Sequence, residues 1–545
     1  MVSALTVAVV VIPQSMAYAI IAGVNPVYGL YTAIISTILS SAFGSSSHLI
    51  AGPTNAISLL VASSMRNYMQ LGNAYEMLFL LTFTVGIIQV LFGVIKLGKV
   101  INYVSHAVIV GFTAGAGILI ALGQLNQFLG ISIKNSAQMP TMSKLWYVLT
   151  HLNETNYFAL LLGLLTIITI VALKKINKNI PGSLIGIVIS IIILIVFSLD
   201  KAGVKLTGDI TSSLPPFKLV VFDWNSFRQI FSGAVAIAII GLVEAISISK
   251  SIASTSREKI DANQEFIGQG IANTVSSFFQ CFPGSGSFTR SAINYYSGAA
   301  TRMSGILSGI LVAVVLVFMA PYARYITMPS LAGVIMVIAY NMVNRKEMKK
   351  VHKVSKSDSV VMWVTFAATV LMPDLDWAVY MGIAISIALY LRDTNKVPVR
   401  VLIPSHDRQN RFIEKEIDTV KGKTDILIIQ LEGNLYFGSA SDLENKLESL
   451  SDKAHIFIIR MKSVSTVDVT SLDTLKIFIR TVMSSGGKIL VCGISTGLNT
   501  MLLNSDLAED IGRENIFLSE NEIFASSDKA MKKAKEILEN MMAIV

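Results

Sequence analysis

Ala51-Gly52-Pro53-Thr54-Asn55 and Cys281-Phe282-Pro283-Gly284-Ser285-Gly286-Ser287 interrupt two long apolar regions of the chain with glycine and proline. Gln14 precedes Pro53 by the same number of residues as Glu244 precedes Pro283, and both polar residues lie inside apolar helical segments. Broken segments at corresponding places in two halves of a chain are typical of transporters built from internal repeats. The two stretches therefore predict a repeated membrane fold with a binding site at the breaks.

The composition of the 545 residues is that of a membrane protein. Hydrophobic residues make up 53% and charged residues 14%, and the mean hydropathy is +0.62, whereas soluble domains carry roughly 25% charged residues. Segments 53–64 and 287–296 are too short to cross a bilayer alone and are predicted to be half-helices buried in protein. With them, about fourteen membrane segments are predicted: 3–22, 28–44, 53–64, 77–95, 104–125, 157–173, 182–199, 229–249, 265–280, 287–296, 303–321, 325–341, 358–372 and 376–391.

The net charge of +9 comes largely from a few basic loops, at 174–178, 250–259 and 345–356. With fourteen segments and an inside start, all three loops are cytoplasmic, as the positive-inside rule requires. Nucleic-acid binding needs a basic face on a folded soluble domain, which the sequence does not suggest. We therefore predict a multi-pass protein of the cell (inner or plasma) membrane, in contact with lipid and not with nucleic acid.

A second domain begins near residue 397, where the composition changes. Short β-branched strands are predicted at 399–403, 425–431, 455–461 and 488–494, alternating with amphipathic helices. This alternation predicts a sheet covered by helices, on the cytoplasmic side because an even number of spans precedes it. The predicted domains are 1–396 in the membrane (repeat one about 1–200, repeat two about 229–392) and 397–545 outside it.

Several motifs, in order, resemble the SulP (sulfate permease) family of anion transporters. They are Pro13-Gln14-Ser15-Met16-Ala17-Tyr18-Ala19, Gly29-Leu30-Tyr31, Gly52-Pro53-Thr54 and Gly286-Ser287-Phe288-Thr289-Arg290-Ser291-Ala292. The region after residue 397 resembles a STAS domain, the module shared by these transporters and anti-sigma-factor antagonists. The resemblance implies a bacterial homodimer with a seven-plus-seven inverted repeat, core and gate subdomains (a UraA-like fold) and a cytoplasmic α/β STAS domain.

The predicted substrate site lies where the third and tenth segments begin. In an inverted repeat their N-termini face each other, and each carries about +0.5 elementary charge and free N–H groups. Two such ends can hold an anion without requiring a cationic side chain. Glycine lets the backbone approach the ligand, and proline suits a first helical turn; an ordinary kink or close helix packing is the alternative. The predicted helix-break residues are Gly52, Pro53, Pro283, Gly284 and Gly286.

Eight side chains around these breaks are predicted to bind the substrate. Gln14 and Tyr18 share one helix face because they are four residues apart, although an interhelical hydrogen bond would also explain Gln14. Arg290 costs at least about 2.5–3.5 kcal/mol to place in a membrane, which favours a functional role over a structural pair with Glu244. Hydroxyl and amide groups at the half-helix starts suit capping or donation to an anion. The full set is Gln14, Tyr18, Thr54, Asn55, Ser287, Phe288, Thr289 and Arg290.

Glu244 is the predicted ion-coupling residue, because burial favours the protonated carboxyl and makes it a candidate proton carrier. The resemblance implies that an acid in this helix couples transport to protons in plant sulfate transporters and to sodium in bicarbonate transporters. A structural ion pair between Glu244 and Arg290 is the alternative. The coupling ion is therefore predicted to be a proton or sodium.

The predicted function is secondary active transport of a small inorganic oxyanion, with proton-coupled sulfate uptake by alternating access as the leading form. Sodium-coupled bicarbonate symport, proton-coupled dicarboxylate symport and anion exchange stay open. Uracil and xanthine permeases, of the same fold, would need carboxylates in both the eighth and tenth segments, whereas the tenth offers Thr289-Arg290. A membrane-anchored STAS regulator would need only one or two spans. An enzyme, a cofactor and a metal site are not predicted, since no phosphate-binding loop, triad or metal motif is found.

In the STAS domain the characteristic loop is Ser465-Thr466-Val467-Asp468-Val469-Thr470-Ser471-Leu472. In antagonist relatives a serine or threonine after the aspartate is phosphorylated, but Asp-Val-Thr-Ser departs from the usual Asp-Ser-Ser/Thr-Gly. A helix N-cap by Asp468 or Thr470 is equally consistent with the loop. The domain is predicted to regulate, to bind a cytoplasmic protein or to support dimer contacts, with Asp468, Thr470 and Ser471 as its regulatory loop.

Overall fold

The structure is a computed structural model that describes residues 1–68, 72–98, 104–133, 139–177, 180–208, 213–404, 412–417, 422–522 and 524–544. The chain divides into two compact units, Met1–Ile387 and Ala388–Val545. The first unit is almost wholly helical and the second is built around one sheet.

The first half of the helical unit contains nine helices and one two-residue strand within the described residues. They are α1 Val2–Ala22, α2 Pro26–Phe43, β1 Ala51–Gly52, α3 Asn55–Met65, α4 Ala74–Val94, α5 His106–Gly123, α6 Leu125–Phe128, α7 Thr141–Thr150, α8 Tyr157–Ile176 and α9 Gly182–Phe197. Polar caps begin several of them: the Asn25 side chain accepts from Val27 N at 3.0 Å, just ahead of Pro26 at the first helical position.

The second half repeats this order. Its elements are α10 Trp224–Ser256, α11 Ala262–Ser277, β2 Ser285–Gly286, α12 Phe288–Tyr296, α13 Met303–Ala323, α14 Met328–Met342, α15 Arg345–Val354, α16 Lys356–Leu371 and α17 Leu375–Thr394. Without the short α6, α7 and α15, the helices make seven membrane segments in each half of the described chain, each corresponding to a predicted segment.

Length and composition separate full spans from the shorter segments. Within the described residues, seven helices are long and apolar enough to cross a bilayer, namely α1, α2, α4, α5 (continued to Phe128), α8, α10 and α17. The helix that follows each break is much shorter: α3 has 11 residues and α12 has 9. At each break the chain thus runs as a short buried strand and then as a half-helix, so its irregular backbone is shielded from lipid by the protein.

The helices sort into two bundles. In the core bundle (α1–α4 and α10–α13), α11 packs on α4 and α2, α10 packs on α4 and α3, and α13 packs on α2 and α1. In the gate bundle (α5, α8, α9, α14, α16 and α17), α16 packs on α5, and α14 packs on α8 and α5. Helix α1 also contacts α9 and α14 of the gate bundle, so the first helix lies along the boundary between the bundles.

The second unit is a six-stranded sheet in the order β4-β3-β5-β6-β7-β8. Strands β5 to β8 are parallel, and β3 is antiparallel to both of its neighbours. The described strands and helices are β3 Val399–Pro404, β4 Phe412–Lys415, β5 Thr424–Leu435, α18 Ala440–Glu448, β6 Ala454–Val467, α19 Val469–Ser484, β7 Lys488–Ile494, α20 Thr496–Leu503, α21 Leu507–Ile511, β8 Ile516–Leu518 and α22 Ala525–Ile544.

Both faces of this sheet are covered. Leu427 and Ile429 of β5 join Phe478 of α19 in the larger core, whereas Ile428 between them joins Ala530 and Ala534 of α22 on the other face. This alternation explains why the predicted central strands are observed. The edge strands β4 and β8 were not predicted, because segments of three or four residues are too short to show a periodic pattern.

Candidate substrate site

The two breaks meet as a short antiparallel pair of strands in the core bundle. Ala51 lies opposite Gly286 and Gly52 lies opposite Ser285. Ser287 N extends the pairing by donating to Ile50 O at 3.0 Å. Because the strands are antiparallel, the chain leaves the pair in opposite directions and enters α3 on one side and α12 on the other. The N-termini of both half-helices therefore flank one strand pair.

The two prolines do not occupy equivalent positions in this arrangement. Pro53 follows β1 and precedes Thr54, the N-cap of α3, whereas Pro283 precedes β2 and lies five residues before α12. Neither proline is in a first helical turn, so this part of the sequence-based interpretation is wrong. Pro283 fits where it lies because it has no N–H to satisfy, while Phe282 N and Gly284 N on either side are hydrogen-bonded.

Neither half-helix is capped by its own side chain. Thr54 and Ser287 are the N-cap residues, and neither side chain bonds to the first turn. Asn55 Oδ1 accepts only from the neighbouring Ala56 N, at 2.9 Å. N–H groups of two first turns are thus left for a ligand, at the positive ends of two helices.

Arg290 is buried with no exposed surface, and it joins the two halves of the site. Its Nη2 donates to Pro53 O at 2.7 Å. Its Nε and Nη1 are buried and have no hydrogen-bond partner in the described part of the chain. A buried guanidinium with unpartnered N–H groups is costly unless a negative group satisfies it, so the site is electrostatically prepared for an anion.

Gly52 makes room for this guanidinium. Its φ of +137° is unfavourable for a side chain, and a Cβ at this position would lie 2.9 Å from Arg290 Nη1. Gly284 is also constrained, since its Cβ would lie 2.9 Å from Gly52 O. These two glycines are needed because backbone and Arg290 approach each other closely at the strand pair.

Glu244 of α10 lies beside the start of α3. Thr54 Oγ1 donates to Glu244 Oε2 at 3.4 Å. Within the described part of the chain Glu244 and Arg290 form no ion pair, so the predicted structural alternative for these two residues is not observed. The carboxyl thus interacts with Arg290 electrostatically without a direct ion pair between them.

Helix α1 supplies one wall of the site, since it packs against both α3 and α12. Tyr18 is buried and interacts electrostatically with Arg290 and Glu244. Gln14 lies one turn earlier on the same face, and its Oε1 is buried without a partner. Within the described residues this oxygen therefore makes no interhelical hydrogen bond.

The remaining predicted residues differ in exposure. Phe288 is 58% exposed and Thr289 is exposed, whereas Ser287 is partly exposed. They occupy the cap and first two positions of α12, so the start of this helix is open while Arg290 one residue later is enclosed. The structure brings Tyr18, Thr54, Glu244 and Arg290 together beside the strand pair, and Gln14 lies one helical turn from Tyr18.

A buried amide network that was not predicted supports the second break. Asn273 Oδ1 accepts from Gly284 N at 2.9 Å, and Asn273 Nδ2 donates to Gly284 O at 3.0 Å and to Gln89 Oε1 at 2.8 Å. Asn273 and Gln89 are both 1% exposed. Each is a polar residue in a membrane segment, the same signal that singled out Gln14, and it would have found them.

In the STAS unit, Asp468 is the N-cap of α19, as one of the two interpretations of the loop expects. Its Oδ1 accepts from Ser471 N at 2.9 Å and its Oδ2 accepts from Phe437 N at 2.6 Å. Partial burial raises the pKa of Asp468, but these hydrogen bonds outweigh it and bring the pKa below its ordinary value. Ser471 is fully buried, whereas Thr470 is exposed.

Two inverted halves, half-helices that meet at a strand pair and buried polar groups at that point define a multi-pass membrane transporter carrying a soluble α/β domain. The sequence matches the Sulfate permease family over residues 1–365 and the STAS domain over residues 419–523. The chain belongs to the sulfate permease family. The predicted family and fold class are thus confirmed, and the chain is a transporter and not an enzyme.

Relatives extend over nearly the whole chain. The putative sulfate transporter YvdB of Bacillus subtilis is 31% identical over 530 residues, covering 96% of each chain. The high affinity sulfate transporter 2 of Stylosanthes hamata is 28% identical over 95% of this chain and 82% of its own length.

Solved structures agree on the fold. The murine Solute Carrier 26 family member A9 anion transporter matches with a TM-score of 0.86 at 20% identity, over 98% of this chain and 90% of its own. The transmembrane domain of the cyanobacterium bicarbonate transporter BicA matches with a TM-score of 0.63 at 25% identity, over 69% of this chain and 96% of its own.

Proposed function

We propose that this protein is a secondary active transporter of small inorganic oxyanions, with proton-coupled sulfate uptake as its reaction. The main support for the proposal is the state of Arg290, which is fully buried. Its Nε and Nη1 have no hydrogen-bond partner among the described residues. Two uncapped helix N-termini flank the same strand pair. A tetrahedral oxyanion, with several acceptor oxygens, suits this set of donors.

The names of the sulfate transporters in Bacillus and Stylosanthes support sulfate within this class. The proposed substrate-binding groups are the first-turn N–H groups of α3 and α12, the side chains of Arg290, Gln14 and Tyr18, and the hydroxyls of Thr54 and Ser287. Phe288 and Thr289 form the open edge through which the anion enters or leaves.

Coupling is needed because an inside-negative potential opposes the entry of an anion by about 2.3 kcal/mol per charge per 100 mV. A proton carried by Glu244 offsets one charge of sulfate. Thr54 links the two events physically, since its hydroxyl donates to Glu244 and it occupies the N-cap position of α3, at the helix end that faces the anion. Glu244 binds its proton when the site is loaded and releases it with the anion.

Movement of the core bundle against the gate bundle supplies alternating access. The anion and the proton site both lie within the core bundle, on α1, α3, α10 and α12, so they travel together. A homodimer and a cytoplasmic protein partner of the STAS domain stay predictions.

Uptake by the full-length protein in proteoliposomes tests the proposal. Radiolabelled sulfate, bicarbonate and succinate are each offered with and without a pH gradient and with and without a sodium gradient. Accumulation of sulfate driven by the pH gradient is the expected result. Bicarbonate uptake driven by sodium is the second candidate, and the match to the bicarbonate transporter BicA favours bicarbonate as its anion. If the assay shows sodium-driven bicarbonate uptake and no proton-driven sulfate uptake, this second function is the correct one. Flux of none of the anions, beside strong partner binding by the STAS domain, would support the regulator instead.

A further inference from the structure

A cavity apart from the central site lies on the opposite side of the membrane from the basic cytoplasmic loops. Its volume is about 560 Å³. It is lined by the C-terminal ends of α1, α3, α5 and α16 and by the first residues of α7, α14 and α17. In a chain whose STAS domain is cytoplasmic, these helix ends are external. The cavity thus lies between the outer ends of the core and gate bundles, and it contains none of the central-site residues described above.

The described lining of this outer cavity carries charge of one sign. Arg66 and Lys144 line it, and no aspartate or glutamate is among the described lining residues. In the described part of the chain neither cation forms an ion pair. Asp374 and Asp376 are sequence neighbours of the lining residues Pro373 and Leu375, but neither lines the cavity. Asp374 is exposed, and Asp376 accepts a hydrogen bond from Ser232 Oγ at 2.6 Å.

The two cations act on each other. Burial lowers the pKa of the Lys144 ammonium, and the charge of Arg66 lowers it further. Both residues are only partly exposed. Two like charges held in one partly enclosed space repel, and a bound anion is the ligand that removes this cost.

Two glutamine side chains add unsatisfied polar groups to the same cavity. Gln124 is 8% exposed, and among the described residues neither its Oε1 nor the Oε1 of Gln127 has a hydrogen-bond partner. Rotation of a carboxamide about its last side-chain bond exchanges its oxygen for its NH₂ group. Either glutamine can thus present two N–H donors to an anion or accept from its hydration water.

We infer that this cavity is an outer anion-binding site, which takes a small divalent oxyanion of the sulfate class and holds it ahead of the central site. The inference rests on the proposed function for the identity of the anion. A cavity of this volume holds the anion with several of its water molecules, each occupying roughly 30 Å³. Binding is therefore mainly electrostatic, and it weakens as salt shortens the Debye length below about 10 Å.

Calorimetric titration with sulfate tests the outer site apart from transport. The background is full-length Arg290→Gln protein in nanodiscs at low ionic strength, in which the central site is expected to bind sulfate roughly 10- to 100-fold more weakly. Sulfate binding is expected to persist there and to weaken at least tenfold when Arg66→Gln and Lys144→Gln are added. Lys201→Gln is the matched control, since Lys201 is exposed in an outer loop away from the cavity. Loss of all binding in Arg290→Gln alone, in protein whose helical circular dichroism is intact, would overturn the inference.

External kinetics give an independent readout in otherwise wild-type protein. Arg66→Gln/Lys144→Gln is expected to raise the KM for external sulfate at least fivefold at low ionic strength, more than it lowers the maximal rate. This difference is expected to shrink at high ionic strength, and Arg66→Lys/Lys144→Arg is expected to restore the KM. An unchanged KM in the double glutamine variant would contradict the outer site. If no variant transports sulfate but the binding in nanodiscs depends on Arg66 and Lys144, the outer site stands and the proposed function fails.

Discussion

Arg290 Nη2 donates to the carbonyl oxygen of Pro53 at 2.7 Å, so the cation of the second half of the chain is fixed to the break of the first half. Its Nε and Nη1 have no partner. One bond therefore positions the guanidinium, while Nε and Nη1 have N–H groups to offer a ligand. The predictions for the membrane domain follow from this arrangement, in which Nη2 anchors the guanidinium while Nε and Nη1 can donate to a bound anion.

Arg290→Gln removes the cation from the site and is expected to weaken sulfate binding roughly 10- to 100-fold, because a hydrogen bond to a charged group contributes about 1.5–3 kcal/mol. Sulfate titration of the central site measures this change. Arg302→Gln is the matched control, since Arg302 Nη2 donates to the carbonyl of Ser45 at 3.0 Å but lies away from the breaks. Equal affinity in Arg290→Gln and wild type would show that the guanidinium does not contact the anion.

Gly52→Ala places a methyl group 2.9 Å from Arg290 Nη1 at a φ of +137°. The backbone strain alone costs about 1–3 kcal/mol, and the displaced guanidinium is expected to lower sulfate uptake at least tenfold. Gly298→Ala separates the two effects, since Gly298 has a φ of +84° and no atom within 4 Å of the added Cβ. Uptake assays with both variants make the comparison, and equal loss in the two would assign the effect to strain alone.

Glu244→Gln keeps the shape of the side chain but removes the carboxyl group that is proposed to bind and release the coupling proton. It is expected to retain sulfate exchange at equal concentrations and to lose accumulation driven by a pH gradient. Glu244→Asp is the control, since it preserves a carboxyl group at a changed distance from Thr54, and it is expected to accumulate sulfate more slowly but still with protons. Full gradient-driven accumulation by Glu244→Gln would exclude the coupling role.

In the STAS unit, Asp468→Ala removes the N-cap of α19 and is expected to cost about 1 kcal/mol, whereas Asp468→Asn keeps a capping oxygen and costs little. Hydrogen exchange of the full-length protein at neutral pH measures this as roughly fivefold faster exchange at Ser471 N–H in Asp468→Ala. Because the pKa of Asp468 is below its ordinary value, the charged cap stabilises the folded state at neutral pH and this contribution is lost as the pH falls through that pKa. Unchanged exchange in Asp468→Ala would contradict the role of this hydrogen bond.

Much of the fold could be predicted because the helices and strands depend on sequence patterns within each segment. The length of each apolar run predicted the membrane segments, and the short runs after Pro53 and before Ser297 predicted the half-helices α3 and α12. The central strands of the STAS unit followed from their alternation, and Asp468 followed from the preference of N-caps.

The register between the halves could not be predicted in this way. Equal spacing from Gln14 and Glu244 suggested that Pro53 and Pro283 correspond, but the pairing of Gly52 with Ser285 places one proline after its strand and the other before. The bond from Arg290 to Pro53 and the support of Gly284 by Asn273 join residues on different elements. Such contacts depend on tertiary packing and produce no periodic pattern in the sequence from which they could be predicted.

The position of a bound anion tests the central claim most directly. Selenate has the geometry and charge of sulfate, and its selenium is located by anomalous scattering in crystals of the full-length protein. We predict a selenium peak between the first turns of α3 and α12, with selenate oxygens within hydrogen-bond distance of Arg290, in addition to any peak in the outer cavity. At the same selenate concentration, the occupancy of this central peak is expected to fall in Arg290→Gln. A peak confined to another part of the membrane domain, with the strand pair of Gly52 and Ser285 empty at saturating selenate, would contradict it.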